Sequence, residues 1–113
     1  MTKTETGVAL YCVPDAIPAS ERAAHFERAR RLLRLETKEW RELANGYAFC
    51  FRAEAFDDVA KFVTNERKCC PFLTFELTVA ADAGPVWLTI TGPEGAREVL
   101  RAELDLARPC SCC

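Results

Sequence analysis

A stretch in the middle of the chain reads WRELANGYAFCF, from Trp40 to Phe51. Apolar side chains recur at every second position in its last part, a period that is typical of a half-buried β-strand. The dipeptide Asn45-Gly46 interrupts the stretch and strongly favours a tight hairpin turn. The strand after the turn has three aromatic residues on one face, namely Tyr47, Phe49 and Phe51. We therefore predict a β-hairpin with one aromatic face.

Helical spacing precedes and follows this hairpin. Ser20 can cap a first helix, whose apolar residues continue to about Leu35, and a second helix is predicted from about Glu54 to Cys69. Pro71 disfavours the helical conformation at Cys70, so the second helix should end at or just before that residue. The core-facing side of this helix is predicted to be the one that carries Phe56, Val59, Ala60, Val63 and Arg67.

Three further strands and a third helix complete the predicted pattern. The strands are Gly7–Val13, Leu73–Val79 and Val86–Thr91. The last two are joined by a turn at Ala83-Gly84-Pro85, and Pro93 suits the first position of the final helix. The order β-α-β-β-α-β-β-α predicts an α+β fold, with a mainly antiparallel sheet and helices packed on one face.

The composition is that of one globular domain. The chain has 113 residues, of which 50% are hydrophobic and 28% are charged, and this size can bury a core without disulfides or metal. We expect a single domain over residues 1–108 and a flexible cysteine-rich tail over residues 109–113. The net charge of −2 argues against nucleic acid as the main partner, and the arginines at positions 28–34 are interpreted as a solvated helix face.

The apolar segments and the cysteines predict the cellular compartment of the protein. No apolar stretch reaches the roughly 20 residues that span a bilayer, so we expect no membrane insertion. The polar N-terminus lacks the pattern of a secretory signal, which indicates a cytoplasmic protein. Cytoplasmic thiols stay reduced, and seven cysteines cannot all pair within one chain. Free thiols are therefore expected.

Six cysteines are candidate ligands of a soft metal ion: Cys12, Cys69, Cys70, Cys110, Cys112 and Cys113. Cys69 and Cys70 are adjacent and can supply two thiolates at little cost in chain closure, and soft thiolate sites select Cu(I), Zn(II) or heavier thiophilic ions. Within this pair, Cys69 is expected to be the more exposed. Cys12 is predicted where its strand ends and could face the helix end that carries Cys69.

The other candidate residues are assigned to the framework. Cys50 lies within a strand and is expected to pack in the core. His25, the single histidine, is on an amphipathic helix and is expected at the surface or its boundary. No cysteine is near it in sequence, and no phosphate-binding loop or nucleophile elbow appears, so no catalytic residue is assigned.

Two short stretches resemble known proteins. The segment Glu66-Arg67-Lys68-Cys69-Cys70-Pro71-Phe72 resembles a signature of small bacterial proteins of uncharacterised activity. The terminal Cys112-Cys113 is similar to the vicinal pair near the C-terminus of mercuric reductase, a mobile tail that passes Hg(II) inward. The second resemblance covers about six residues, and the flavin and nicotinamide domains of that enzyme are absent. It implies thiol-based handling of a soft metal, with Cys112 and Cys113 as capturing thiols, and does not imply reduction.

These observations lead to three functional hypotheses. The first is a cytoplasmic soft-metal-binding protein, acting as a chaperone, buffer or detoxification accessory for Hg(II), Cu(I) or Zn(II), with another metal-handling protein as its partner. The second is a thiol enzyme or redox protein that uses Cys69 or Cys70 as nucleophile. The third is a non-catalytic interaction domain whose cysteines serve packing.

Overall fold

The computed structural model describes Leu10 and residues 12–103. Seven regular elements follow one another in this part of the chain: α1 (Ala19–Arg31), β1 (Glu39–Leu43), β2 (Gly46–Phe51), α2 (Phe56–Cys69), β3 (Thr74–Val79), β4 (Val86–Thr91) and α3 (Ala96–Glu103). They form the predicted α+β fold. The predicted strand Gly7–Val13 lies mostly outside the described residues, and Cys12 and Val13 do not belong to a strand. None of the described helices is long and apolar enough to cross a membrane.

The four strands form one antiparallel sheet in the order β1-β2-β4-β3. The two central strands are in register at Phe49 and Leu88, and directly opposed residues share a face of the sheet. The aromatic face of β2 therefore adjoins the apolar face of β4, formed by Val86, Leu88 and Ile90. All these side chains are buried in a single hydrophobic cluster with residues of the three helices, so the helices pack on this face.

The hairpin turn differs from the prediction by one residue. Leu43 pairs directly with Gly46, so the loop consists of Ala44 and Asn45, and Gly46 is the first residue of β2. A Cβ atom at Gly46 would lie 1.9 Å from the carbonyl oxygen of Ile90 in the neighbouring strand. Close approach of the β4 backbone, rather than the turn, therefore requires glycine at this position.

Two helix starts were also predicted wrongly. The first helix begins at Ala19, after Pro18, and Ser20 lies within its first turn and does not act as the cap. The third helix begins at Ala96, three residues after Pro93, whose carbonyl accepts the amide hydrogen of Ala96. Gly95 has a φ of +95°, a conformation that cannot continue a helix, and this delays the start of α3.

The buried face of α2 is rotated from the predicted stripe. Its fully or almost fully buried residues are Val59, Phe62, Asn65, Glu66 and Cys69, whereas Arg67 is exposed and Phe56 is partly exposed. The sequence prediction left Glu66 outside the core-facing side. Glu66 is buried because it has a partner on α1, which sets the orientation of the helix.

The arginine-rich part of α1 contacts α2 through ion pairs. Arg28 lies 3.4 Å from the carboxylate of Asp58, and Arg31 lies 3.2 Å from the same carboxylate. Arg31 also donates a 2.6 Å hydrogen bond to Glu36, and this bond raises the pKa of the arginine above its usual value. A five-residue π-helical segment, Leu32–Glu36, continues α1 and places Glu36 within reach of Arg31.

Candidate metal centre

The vicinal pair lies where α2 ends. Cys69 is the last helical residue, and Cys70 has left the helical conformation, with φ −121° and ψ 80°. This change agrees with the restriction that Pro71 imposes on the residue before it. The amide of Cys70 still donates to the carbonyl of Glu66, so the position of the second cysteine remains fixed by the helix.

Both cysteines of the pair are completely buried in the hydrophobic cluster. The prediction that Cys69 is the more exposed of the two is therefore wrong. Cys69 follows Phe62 and Glu66 at spacings of seven and three residues, which places it on the buried face of α2. Cys70 is buried because the chain turns there to enter β3.

Cys12 comes to this helix end from a distant part of the sequence. The amide of its neighbour Val13 donates a hydrogen bond to the carbonyl of Cys69, and this bond ties the N-terminal segment to the end of α2. The Sγ atoms of Cys12, Cys69 and Cys70 all lie within 4.8 Å of one another. Cys12 thus faces the helix end as anticipated. Cys12 is partly buried, so it is the most exposed residue of the cluster formed by these three cysteines.

Cys50 is not part of this three-cysteine cluster. Cys50 is buried in β2 on the sheet face away from the helices, opposite Glu39 and Trp87, which agrees with the framework role expected for it. The tail residues Cys110, Cys112 and Cys113 lie outside the described part of the chain, so their role as ligands stays a prediction.

A buried, hydrogen-bonded pair of side chains adjoins the cluster. His25 and Glu66 are 0% and 1% exposed, and the Nε2 atom of His25 lies 2.9 Å from the Oε1 atom of Glu66. The histidine ring stacks on Phe62 at a centroid distance of 5.6 Å. The prediction that His25 is a surface or boundary residue is therefore wrong, because helix α1 turns this side chain toward the carboxylate on α2.

Glu66 connects His25 with the thiols. Its second oxygen, Oε2, accepts a hydrogen bond from the Sγ atom of Cys70 at 3.5 Å, within the range for sulfur donors. One carboxylate therefore has a hydrogen bond on each oxygen, which is what a buried charged group requires. The array His25–Glu66–Cys70 fixes the position of one thiol in the cluster.

Sequence reasoning missed this array, although a signal for it exists. Residues 59, 62, 66 and 69 are spaced by three, four and three positions, the spacing of one helix face. Glu66 occupies an otherwise apolar line in this pattern. A carboxylate in such a line needs a buried donor, and the only histidine of the chain is a natural candidate.

The donor set of the cluster favours soft ions. Three sulfur atoms without histidine nitrogen are typical ligands for Cu(I), Hg(II) or other thiophilic ions. A structural zinc site requires four ligands, and the cluster supplies three among the described residues. With zinc, the cluster would leave the fourth position open for a water molecule or for a further thiol.

Comparison of the chain with protein-family models, with curated proteins and with solved structures found no significant match. The geometry of the three-cysteine cluster and its surroundings is therefore the basis for a functional proposal.

Proposed function

We propose that this chain is a cytoplasmic soft-metal-binding protein that holds a thiophilic ion such as Hg(II), Cu(I) or Zn(II) at Cys12, Cys69 and Cys70. The observation that carries the proposal is the approach of these three Sγ atoms to within 4.8 Å of one another from two separate segments. Packing alone does not require three thiols to be neighbours. Bound thiolates, in contrast, have to be this close.

The difference in burial among the three thiols supports a route for the ion. Cys12 is partly exposed and would contact an incoming ion first, whereas Cys69 and Cys70 are completely buried and would retain it. In this proposal, the tail thiols Cys110, Cys112 and Cys113 capture the ion and pass it to Cys12 by exchange of thiolate ligands. Release to a metal-handling protein would use the same exchange in reverse.

The thiol-enzyme alternative has less support. A nucleophile must reach its substrate, and neither Cys69 nor Cys70 has any exposed surface. Glu66 accepts the hydrogen bond of Cys70 and could remove its proton, but the same bond also serves a ligand that must lose its proton to a metal. The third alternative, an interaction domain, gives no reason for the approach of Cys12 to the pair.

Native mass spectrometry under reducing conditions tests the proposal. The starting protein is the full chain with Cys110, Cys112 and Cys113 replaced by alanine, so that binding reports on the three-cysteine cluster alone. We expect one equivalent of Hg(II), Cu(I) or Zn(II) to remain bound when the ions are offered one at a time. A second protein, with the tail intact, should load faster from a metal–glutathione complex.

Two sets of cysteine-to-alanine changes provide the matched comparison. Changing Cys12, Cys69 and Cys70 together to alanine should abolish binding, whereas Cys50→Ala should leave it unchanged, because Cys50 lies on the other face of the sheet. Circular dichroism checks that both variants are folded. Binding of no ion by the starting protein, or equal binding by the two variants, contradicts the proposal.

A further inference from the structure

The charge around the three-cysteine cluster restricts which ions it can hold. Glu66 is buried beside Cys70, and its carboxylate accepts hydrogen bonds from the Nε2 side of His25 and from the thiol. Cys69 and Cys70 are themselves completely buried in the hydrophobic cluster, where a net charge on a bound complex would lose its hydration.

The helix end acts in the same direction. Cys69 closes α2, and the last carbonyl groups of a helix carry partial negative charge. The two basic residues of this last turn, Arg67 and Lys68, have exposed side chains, and water and salt screen their charge. A complex with net negative charge would thus be held in a completely buried place next to the negative end of a helix, which is unfavourable.

The common thiophilic ions differ in the charge of their three-thiolate complexes. With three thiolates, Zn(II) or Hg(II) forms a complex with one net negative charge, and Cu(I) forms one with two. Trivalent arsenic forms a neutral complex. Arsenous acid, As(OH)3, reacts with three thiols so that three As–O bonds break and three As–S bonds form. Each thiol proton leaves with a hydroxide as water, and no atom changes oxidation state.

From this comparison we infer that the cluster of Cys12, Cys69 and Cys70 takes trivalent arsenic, supplied as neutral arsenous acid, in preference to ions whose three-thiolate complexes are charged. The inference rests on the proposed function, since it assigns an ion to the same cluster. The product places no net charge in the core, and the partly exposed Cys12 is the first thiol that the neutral acid meets.

Mercury offers a second neutral product that has to be distinguished. Hg(II) bound by two thiolates is uncharged, but it leaves the third thiol of the cluster unused. Arsenic needs all three sulfur atoms. The dependence of binding on each single cysteine therefore separates the two ions.

The test uses the full chain with its three tail cysteines replaced by alanine, under reducing conditions. Arsenite should add one arsenic atom with loss of three protons in native mass spectra. Each single change, Cys12→Ala, Cys69→Ala or Cys70→Ala, should weaken arsenite binding by more than about 100-fold. This exceeds the loss of affinity that is typical when a residue that only supports a metal ligand is removed. Hg(II) binding should survive at least one of them.

Binding of Hg(II) or Zn(II) without binding of arsenite overturns the arsenic inference and leaves the proposed function standing. Arsenite binding that survives the loss of any one cysteine overturns it as well. Binding of no ion at all refutes the proposed function itself.

Discussion

Replacing His25 by leucine is expected to destabilise the protein far more than replacing His25 and Glu66 together. The single change leaves the buried side chain of Glu66 without its histidine partner. Removing one partner from a buried pair that holds a charge costs about 3–5 kcal/mol, and loss of the ring stacked on Phe62 adds about 1 kcal/mol. The free energy of unfolding should therefore fall by about 4–6 kcal/mol.

The double change, His25→Leu with Glu66→Leu, removes the charge as well as its partner. An apolar pair of similar volume is often neutral relative to a buried ion pair, so the expected loss is only the ring contact and some misfit, about 1–2 kcal/mol. The double variant should thus be about 3 kcal/mol more stable than His25→Leu alone. His25→Gln, which keeps an N–H donor near Glu66, should lose less than half as much as His25→Leu.

Urea denaturation followed by the fluorescence of Trp40 and Trp87 measures these values. A reducing buffer with a chelator prevents bound metal from adding to the stability. An exposed pair provides the control: Arg41 lies 3.1 Å from Glu39, both side chains are more than half exposed, and Arg41→Leu should cost at most about 1 kcal/mol. If the losses of the His25 and Glu66 single variants simply add in the double variant, the carboxylate is not charged and dependent on His25, and this reasoning is refuted.

Three other changes test the packing and the accessibility of the cluster. Phe62→Ala should lower the free energy of unfolding by about 3–5 kcal/mol in urea, and a loss below 1 kcal/mol would contradict its position in the core. Gly46→Ala should lower the free energy of unfolding by at least about 1 kcal/mol, because its Cβ would lie 1.9 Å from a carbonyl oxygen of β4. An unchanged midpoint of the urea transition would contradict the close approach of the two strands. Alkylation of the native metal-free protein, mapped on peptides, should label Cys12 before Cys69 and Cys70, and faster labelling of the vicinal pair would contradict the burial described.

The sheet could be predicted because its signals are local. Alternation in residues 46–51, 74–79 and 86–91 marks the faces of three strands, and short connections make antiparallel neighbours. The details that failed depend on other elements. Gly46 looked like a turn residue, and only the neighbouring strand explains why it is the first residue of β2.

The three cysteines of the candidate site could be singled out from the sequence, but their surroundings could not. Adjacent cysteines before a proline indicate thiol chemistry at a helix end, and the position of Cys12 allowed it to be included. The burial of Glu66 depends on His25, 41 positions away in the chain, and a pair of this kind is not visible in either helix alone. Helix α2 has two lines of apolar residues that could face the core. The line that contains Glu66 faces it, because Glu66 pairs with His25, although the other line has more apolar residues.

X-ray absorption at the mercury edge identifies the ligands of the ion, on the full chain with its tail cysteines replaced by alanine and loaded with one equivalent of Hg(II). We expect a first shell of sulfur atoms only, supplied by the cluster of Cys12, Cys69 and Cys70, and its loss when these three residues are changed to alanine. A first shell of oxygen or nitrogen, or a sulfur shell that persists in that variant, would contradict this expectation.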